Sequence, residues 1–114
     1  MTATFDPNAI PPTREELAQR PGPVVIQFGA SWCGHCKRFA PDFAALLKEF
    51  PQVQPIWVED GPGQPLGRSF RVKLWPTLVF QRDGQLLGQV SRPGFEDARA
   101  GFQSITPPAE SAEN

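Results

Sequence analysis

The chain has 114 residues, 39% of them hydrophobic, with nine Phe and three Trp, and carries a formal charge of −1. That is enough for one domain around one core, and the near-neutral charge excludes a phosphate-binding surface, so no nucleic acid is expected as a partner. No apolar run approaches the ~18–20 residues of a membrane span, and the first twenty residues lack the basic start and apolar stretch of a secretory leader; a cytoplasmic protein without membrane contact is expected.

Residues 1–12 have no period and read as an arm, with a short strand at 2–5. Thr13-Arg14-Glu15-Glu16 has the form of a capping box, a Thr N-cap with Glu three residues on. It opens a helix of two turns that Pro21-Gly22-Pro23 stops. Val24-Val25-Ile26-Gln27-Phe28 is a nearly continuous apolar run between turn residues, the pattern of a buried central strand. After Gly29-Ala30-Ser31 the pattern becomes helical: Phe39, Phe43, Leu46, Leu47 and Phe50 make one stripe. Pro51 ends this helix, and Pro41 inside it should kink it.

A second strand is expected over 56–59, and the Gly/Pro-rich residues 60–65 lead to a helical turn over 66–70. Residues 77–80 and 85–90 flank Asp83-Gly84 as a hairpin, because that pair accepts the positive φ angles of a tight turn. Residues 94–105 form a last helix with Phe95, Ala98, Phe102 and Ile105 on one face, weakened by Gly101. Residues 107–114 read as a disordered tail, which leaves 1–106 as a single domain with 1–23 as its arm and short helix. A strand–helix–strand crossover needs parallel neighbours and the Asp-Gly turn an antiparallel pair. The expected fold is therefore α/β, a mixed sheet of four to five strands with helices on both faces.

Two cysteines are too few for a disulfide-stapled scaffold. They stand three apart, in Cys33-Gly34-His35-Cys36, where the buried strand gives way to the helix. Unpaired backbone N–H groups and the helix dipole place partial positive charge there, which lowers the pKa of a Cys33 thiol below the ~8.5 of a free one. Cys36, one turn deeper, is expected to be more buried and less acidic. One sulfur then attacks while the other waits within bonding reach, as thiol–disulfide exchange requires. Inert core thiols would have to be buried at a helix start flanked by Gly and His. Zinc would want four ligands where the chain offers two Cys and one His, so no metal is expected.

The run Phe28-Gly29-Ala30-Ser31-Trp32-Cys33-Gly34-His35-Cys36-Lys37, the helix-kinking Pro41, and Trp75-Pro76-Thr77 before a hairpin strand resemble the thioredoxin family over roughly residues 13–105. The resemblance implies a thioredoxin-like fold and a protein disulfide oxidoreductase, with Cys33 as nucleophile and Cys36 as resolving thiol. It further implies Trp32 as a partly exposed cover and a cis Pro76 that packs against the pair and helps to present backbone to a substrate peptide. Protein disulfides or dithiols would be the substrates, a reductase or small thiol would recycle the monomer, and no bound cofactor is implied. In a cytoplasm the reductive direction is favoured. The Cys-Gly-His-Cys version is similar to that of protein disulfide isomerase. A His35 that carries charge or donates to the thiolate would raise the potential above the about −270 mV of thioredoxin, toward the about −180 mV of the isomerase.

Three departures from the family pattern bear on the chemistry. Gln27 stands where the family usually has a buried Asp, and no Lys is present near Pro55 or Ile56 to pair with one. Losing both charges together is consistent, since an orphaned buried charge costs several kcal/mol, but it leaves Cys36 without an obvious base. Glu59 is a candidate, though it reads more simply as a solvated strand-end carboxylate. Trp75 replaces a smaller residue and either widens the apolar floor of the substrate groove or fills the core. Arg92 in Ser91-Arg92-Pro93 falls where the family tends to have Gly near the site; it could add charge near Cys33, but like Arg68, Arg71 and Lys73 it reads as a solvated cation. A second reading is a non-catalytic adaptor that binds one partner through the Cys33, Trp75 and Pro76 groove.

Overall fold

The Thr13 capping box forms as its sequence dictates: the Thr13 hydroxyl accepts from the Glu16 N–H at 3.0 Å, and the Glu16 carboxylate accepts from the Thr13 N–H at 2.9 Å. The helix it opens, α1 (Arg14–Ala18), has only five residues. It is shorter than expected because Gln19 and Arg20 already bond three residues back before Pro21 is reached. The structure, a computed structural model, describes residues 10–106; the expected strand at 2–5 and the tail at 107–114 lie outside the described residues.

After α1 come β1 (Pro23–Gly29), α2 (Gly34–Glu49), β2 (Gln54–Glu59), α3 (Pro65–Ser69), β3 (Thr77–Arg82), β4 (Gln85–Ser91) and α4 (Phe95–Ile105). The described strands form one sheet in the order β2-β1-β3-β4. β1 runs parallel to β2 and antiparallel to β3, and β3 pairs antiparallel with β4. The continuous apolar run of β1 thus lies between two strands, with six of its seven residues buried.

Strand alternation sends Val25, Leu78 and Phe80 toward Phe39, Phe43 and Leu46 of α2 and Ala98, Phe102 and Ile105 of α4. It sends Val24, Ile26, Phe28 and Val79 the other way, onto Leu17 of α1 and Leu66 of α3. Helices therefore cover both faces of a mixed, four-stranded sheet. α2 continues through Pro41, whose missing N–H leaves the Lys37 carbonyl without its helical donor. Among the described residues no helix is long and apolar enough to cross a membrane.

Asp83 and Gly84 take φ of 51° and 80° in the β3–β4 turn, and the Asp83 carboxylate accepts from the Gly22 N–H at 2.7 Å, fastening the hairpin to the start of β1. In the β3–β4 register Phe80 faces Gly88 but Gln81 faces Leu86, so Leu87 is an extra, bulged residue.

Gly101 does more than dilute the helix propensity of α4. A Cβ there would fall 2.2 Å from the Phe80 ring, so the ring rests against bare helix backbone. Gly101→Ala, which in an open helix gains up to about 1 kcal/mol, should instead destabilise the protein by about 1–3 kcal/mol through overpacking, read as a lower urea midpoint at unchanged m-value.

Candidate active site

The site lies where β1 ends. A turn closed by the Cys33 N–H on the Ala30 carbonyl at 3.0 Å delivers Cys33 to the N-cap of α2. Its backbone is extended, and its sulfur accepts from the Cys36 N–H at 3.4 Å. The thiol therefore occupies the capping place usually held by a Ser, Thr or Asp oxygen. Gly34 opens the helix on its exposed side, and a Cβ there would approach only the Arg38 guanidinium, at 3.4 Å. Cys36, one turn on, packs with Ala30, Cys33 and Trp75.

Both sulfurs are shielded from solvent, Cys33 at 5% exposed and Cys36 at 7%, but Cys36 has the more protein packed around it, as the sequence led us to expect. Their surroundings separate them. Burial works against a Cys33 thiolate, but the Cys36 N–H and thiol, the His35 N–H and the charge of Arg92 together outweigh it, and its pKa falls below the ordinary value. For Cys36 burial dominates; the bond from the Ala30 N–H opposes it only in part, while Cys33 and Glu59 reinforce it, and its pKa is pushed up to about 11.

Opposite the pair, the Trp75–Pro76 peptide bond is cis and Pro76 is buried. The Trp75 carbonyl oxygen lies 4.0 Å from Cys33 Sγ. Trp75 is half-buried, its indole N–H donates to the Asp60 carboxylate at 2.9 Å, and its ring meets Trp32 edge-on at 5.3 Å. Trp32 is 69% exposed, so the two indoles form an aromatic wall beside the sulfur. Trp75 thus borders the site instead of filling the core.

Arg92 is exposed, as read, yet it is tied to the site. Its Nε donates to the Trp75 carbonyl at 2.9 Å and its own N–H to the Pro76 carbonyl at 2.7 Å, with its backbone at a φ of 49°. The hairpin register contains the signal that could have located it: Thr77 faces Ser91, so the next residue out must face Pro76. Arg68, Arg71 and Lys73 are exposed, as read.

His35 also departs from expectation. It is exposed, and its Nδ1 lies 2.9 Å from Arg38 Nη2. A guanidinium only donates, so Nδ1 accepts and the ring is neutral. Partial desolvation, then the charges of Arg92 and Arg38, hold its pKa below the usual value. The positive charge beside Cys33 is therefore supplied by Arg92, and His35 contributes through its backbone N–H.

Behind Cys36 an apolar cavity of about 350 Å³ is lined by Gln27, Cys36, Phe43, Leu47 and Trp57. Trp57, not residue 55 or 56, faces Gln27 across the sheet, so an indole stands where a cation would have paired with a buried acid. Glu59 faces Gly29, and Gly29 lacks a side chain where a Cβ would lie 2.8 Å from Cys36 Sγ. One Glu59 oxygen accepts from the Ser31 N–H at 3.2 Å; the other, Oε1, is buried with no hydrogen-bond partner among the described residues. This carboxylate is not the solvated strand end that the sequence suggested.

The family model for thioredoxin matches residues 12–100. Chicken (Gallus gallus) protein disulfide-isomerase A3 is 37% identical over 82 residues, which cover 71% of this chain but only 16% of that much longer protein. Rabbit (Oryctolagus cuniculus) thioredoxin is 36% identical over 82 residues, 72% of this chain and 78% of its own. Among solved structures, reduced thioredoxin 2 from Pseudomonas aeruginosa superposes with a TM-score of 0.77 at 44% identity, covering 92% of this chain and 96% of that one. With a mixed sheet wrapped by helices and two cysteines three apart at the mouth of α2, the chain belongs to the thioredoxin family of thiol–disulfide oxidoreductases.

Proposed function

We propose that residues up to 106 act as a single thioredoxin-like domain that exchanges disulfides with protein substrates, Cys33 attacking and Cys36 resolving. The observation that carries this reading is the opposed acidity of two sulfurs joined by a hydrogen-bonded helix turn: one is primed as a thiolate and the other holds its proton.

In the reductive direction the Cys33 thiolate attacks one sulfur of a partner disulfide. That S–S bond breaks, a Cys33–partner bond forms, and the partner's other sulfur leaves as a thiolate. Cys36 then gives up its proton and attacks Cys33 Sγ, and the partner's second sulfur leaves. The partner has gained two electrons and the domain is left with a Cys33–Cys36 disulfide, to be reduced again by a reductase or a small thiol. Trp32, Trp75 and Pro76 border the approach to Cys33, and Gly34 leaves it open. Glu59 takes the Cys36 proton, since its buried oxygen is the carboxylate whose charge Cys36 feels. A reducing compartment such as the cytoplasm suits this direction, and Arg92 in place of His35 favours the thiolate and a potential above about −270 mV. One chain supplies both sulfurs, which suits a monomer as the working unit.

Micromolar protein should accelerate the precipitation of insulin reduced by dithiothreitol. A rate equal to dithiothreitol alone would overturn this reading in favour of a binding role for the same groove.

A further inference from the structure

We infer that the site selects disulfides bearing a carboxylate close to the reacting sulfur, held in a cationic depression between the start of α2 and the end of β4. The inference rests on the oxidoreductase reading above and names its substrate class.

The depression, about 190 Å³, is lined by His35, Arg38, Asp42, Pro76 and Arg92 among others. It adjoins the sulfur, because Arg92 bonds the same Trp75 carbonyl that lies 4.0 Å from Cys33 Sγ. Two guanidiniums face one carboxylate, Asp42, and the imidazole between them is uncharged, so its balance is positive. The Arg92 bond to Trp75 uses Nε, and the Arg38 bond to His35 uses Nη2. Neither arginine forms a salt bridge among the described residues, where Arg99–Glu49 is the pair formed. Each therefore keeps further N–H donors for a carboxylate, the geometry a guanidinium fork suits. The indole end of Trp75 is held by Asp60, so the site is polarised along Trp75: an anionic substituent is welcome toward Arg92 and α2 and repelled toward Asp60.

The chemistry is the exchange already written; the carboxylate takes no part in electron transfer and only raises the population of the encounter. Reduced protein is mixed with three small disulfides of like size, anionic 3,3′-dithiodipropionate, neutral bis(2-hydroxyethyl) disulfide and cationic cystamine, and the loss of its thiols is timed. At low salt the anion should react about threefold to tenfold faster than the neutral compound and the cation more slowly, each rate divided by that of the same disulfide with dithiothreitol. The preference should shrink in 0.5 M salt. Arg38→Ala should cut the anion-to-cation ratio at least about threefold, and Arg38→Lys should keep most of it; in this ratio any general change in Cys33 reactivity cancels. Peptide disulfides with Glu or Lys beside the cysteine assign the source. A Glu preference means that the depression reads a protein side chain, and a preference confined to the small set assigns it to small anionic disulfides. Equal normalised rates in both sets would overturn the inference while leaving the oxidoreductase reading intact; no reaction with any disulfide would overturn both.

Discussion

Cys33→Ser should bring insulin reduction down to the rate of dithiothreitol alone, whereas Cys36→Ser should stop turnover yet still attack, accumulating a Cys33–partner disulfide that mass spectrometry reads. The difference follows from where each proton sits. The lowered pKa of Cys33 means that its thiolate forms at a lower pH than that of an ordinary thiol. Cys36 stays protonated until pH approaches about 11. In the wide window between, iodoacetamide should alkylate Cys33 alone. The rate should fall as pH drops through the Cys33 pKa, and a second modification should set in only near the upper end. Equal labelling of both sulfurs at pH 8 would contradict the assignment of roles.

Glu59→Gln should slow the resolving step about 10²-fold, the ordinary worth of a positioned proton acceptor, while the first attack by Cys33 keeps its rate and pH dependence. Without the carboxylate, deprotonation of Cys36 falls to hydroxide, so resolution should climb steadily with pH instead of levelling off. A merely structural role would not change that profile, and Glu59→Asp should recover part of the plateau. Stability should move the other way. The buried Oε1 has no hydrogen-bond partner among the described residues, so removing its charge should leave stability unchanged or raise it by about 1 kcal/mol. A Glu59→Gln protein that resolves at the wild-type rate would remove Glu59 from the mechanism.

What the sequence disclosed, it disclosed through local rules. The Thr13–Glu16 box, the Phe39–Phe43–Leu46 stripe and the Asp83-Gly84 turn each act over a few residues, and all formed. Even the mixed sheet followed from connection lengths. The features that escaped depend on residues brought together from distant segments. Arg92 reaches the Trp75 and Pro76 carbonyls only because the hairpin register returns it there. The His35 pKa is lowered by partial desolvation, then by the charges of Arg92 across the site and Arg38 on the next turn. Glu59 has one oxygen buried while the Ser31 N–H bonds the other, and Gly101 is a seat for the Phe80 ring, visible only once α4 lies on β3. Periodicity carries no information about any of these.

The bulge at Leu87 reaches beyond the hairpin itself. β4 is the outer strand of the described sheet, with Leu86 and Leu87 both exposed, the kind of rim on which another polypeptide could zip up. An extra residue there bends the strand and tightens its coil, so a straight newcomer meets its hydrogen-bonding groups for a few residues and then loses step. Deleting Leu87 would straighten that rim, and the molecule would trade a private margin for an adhesive one.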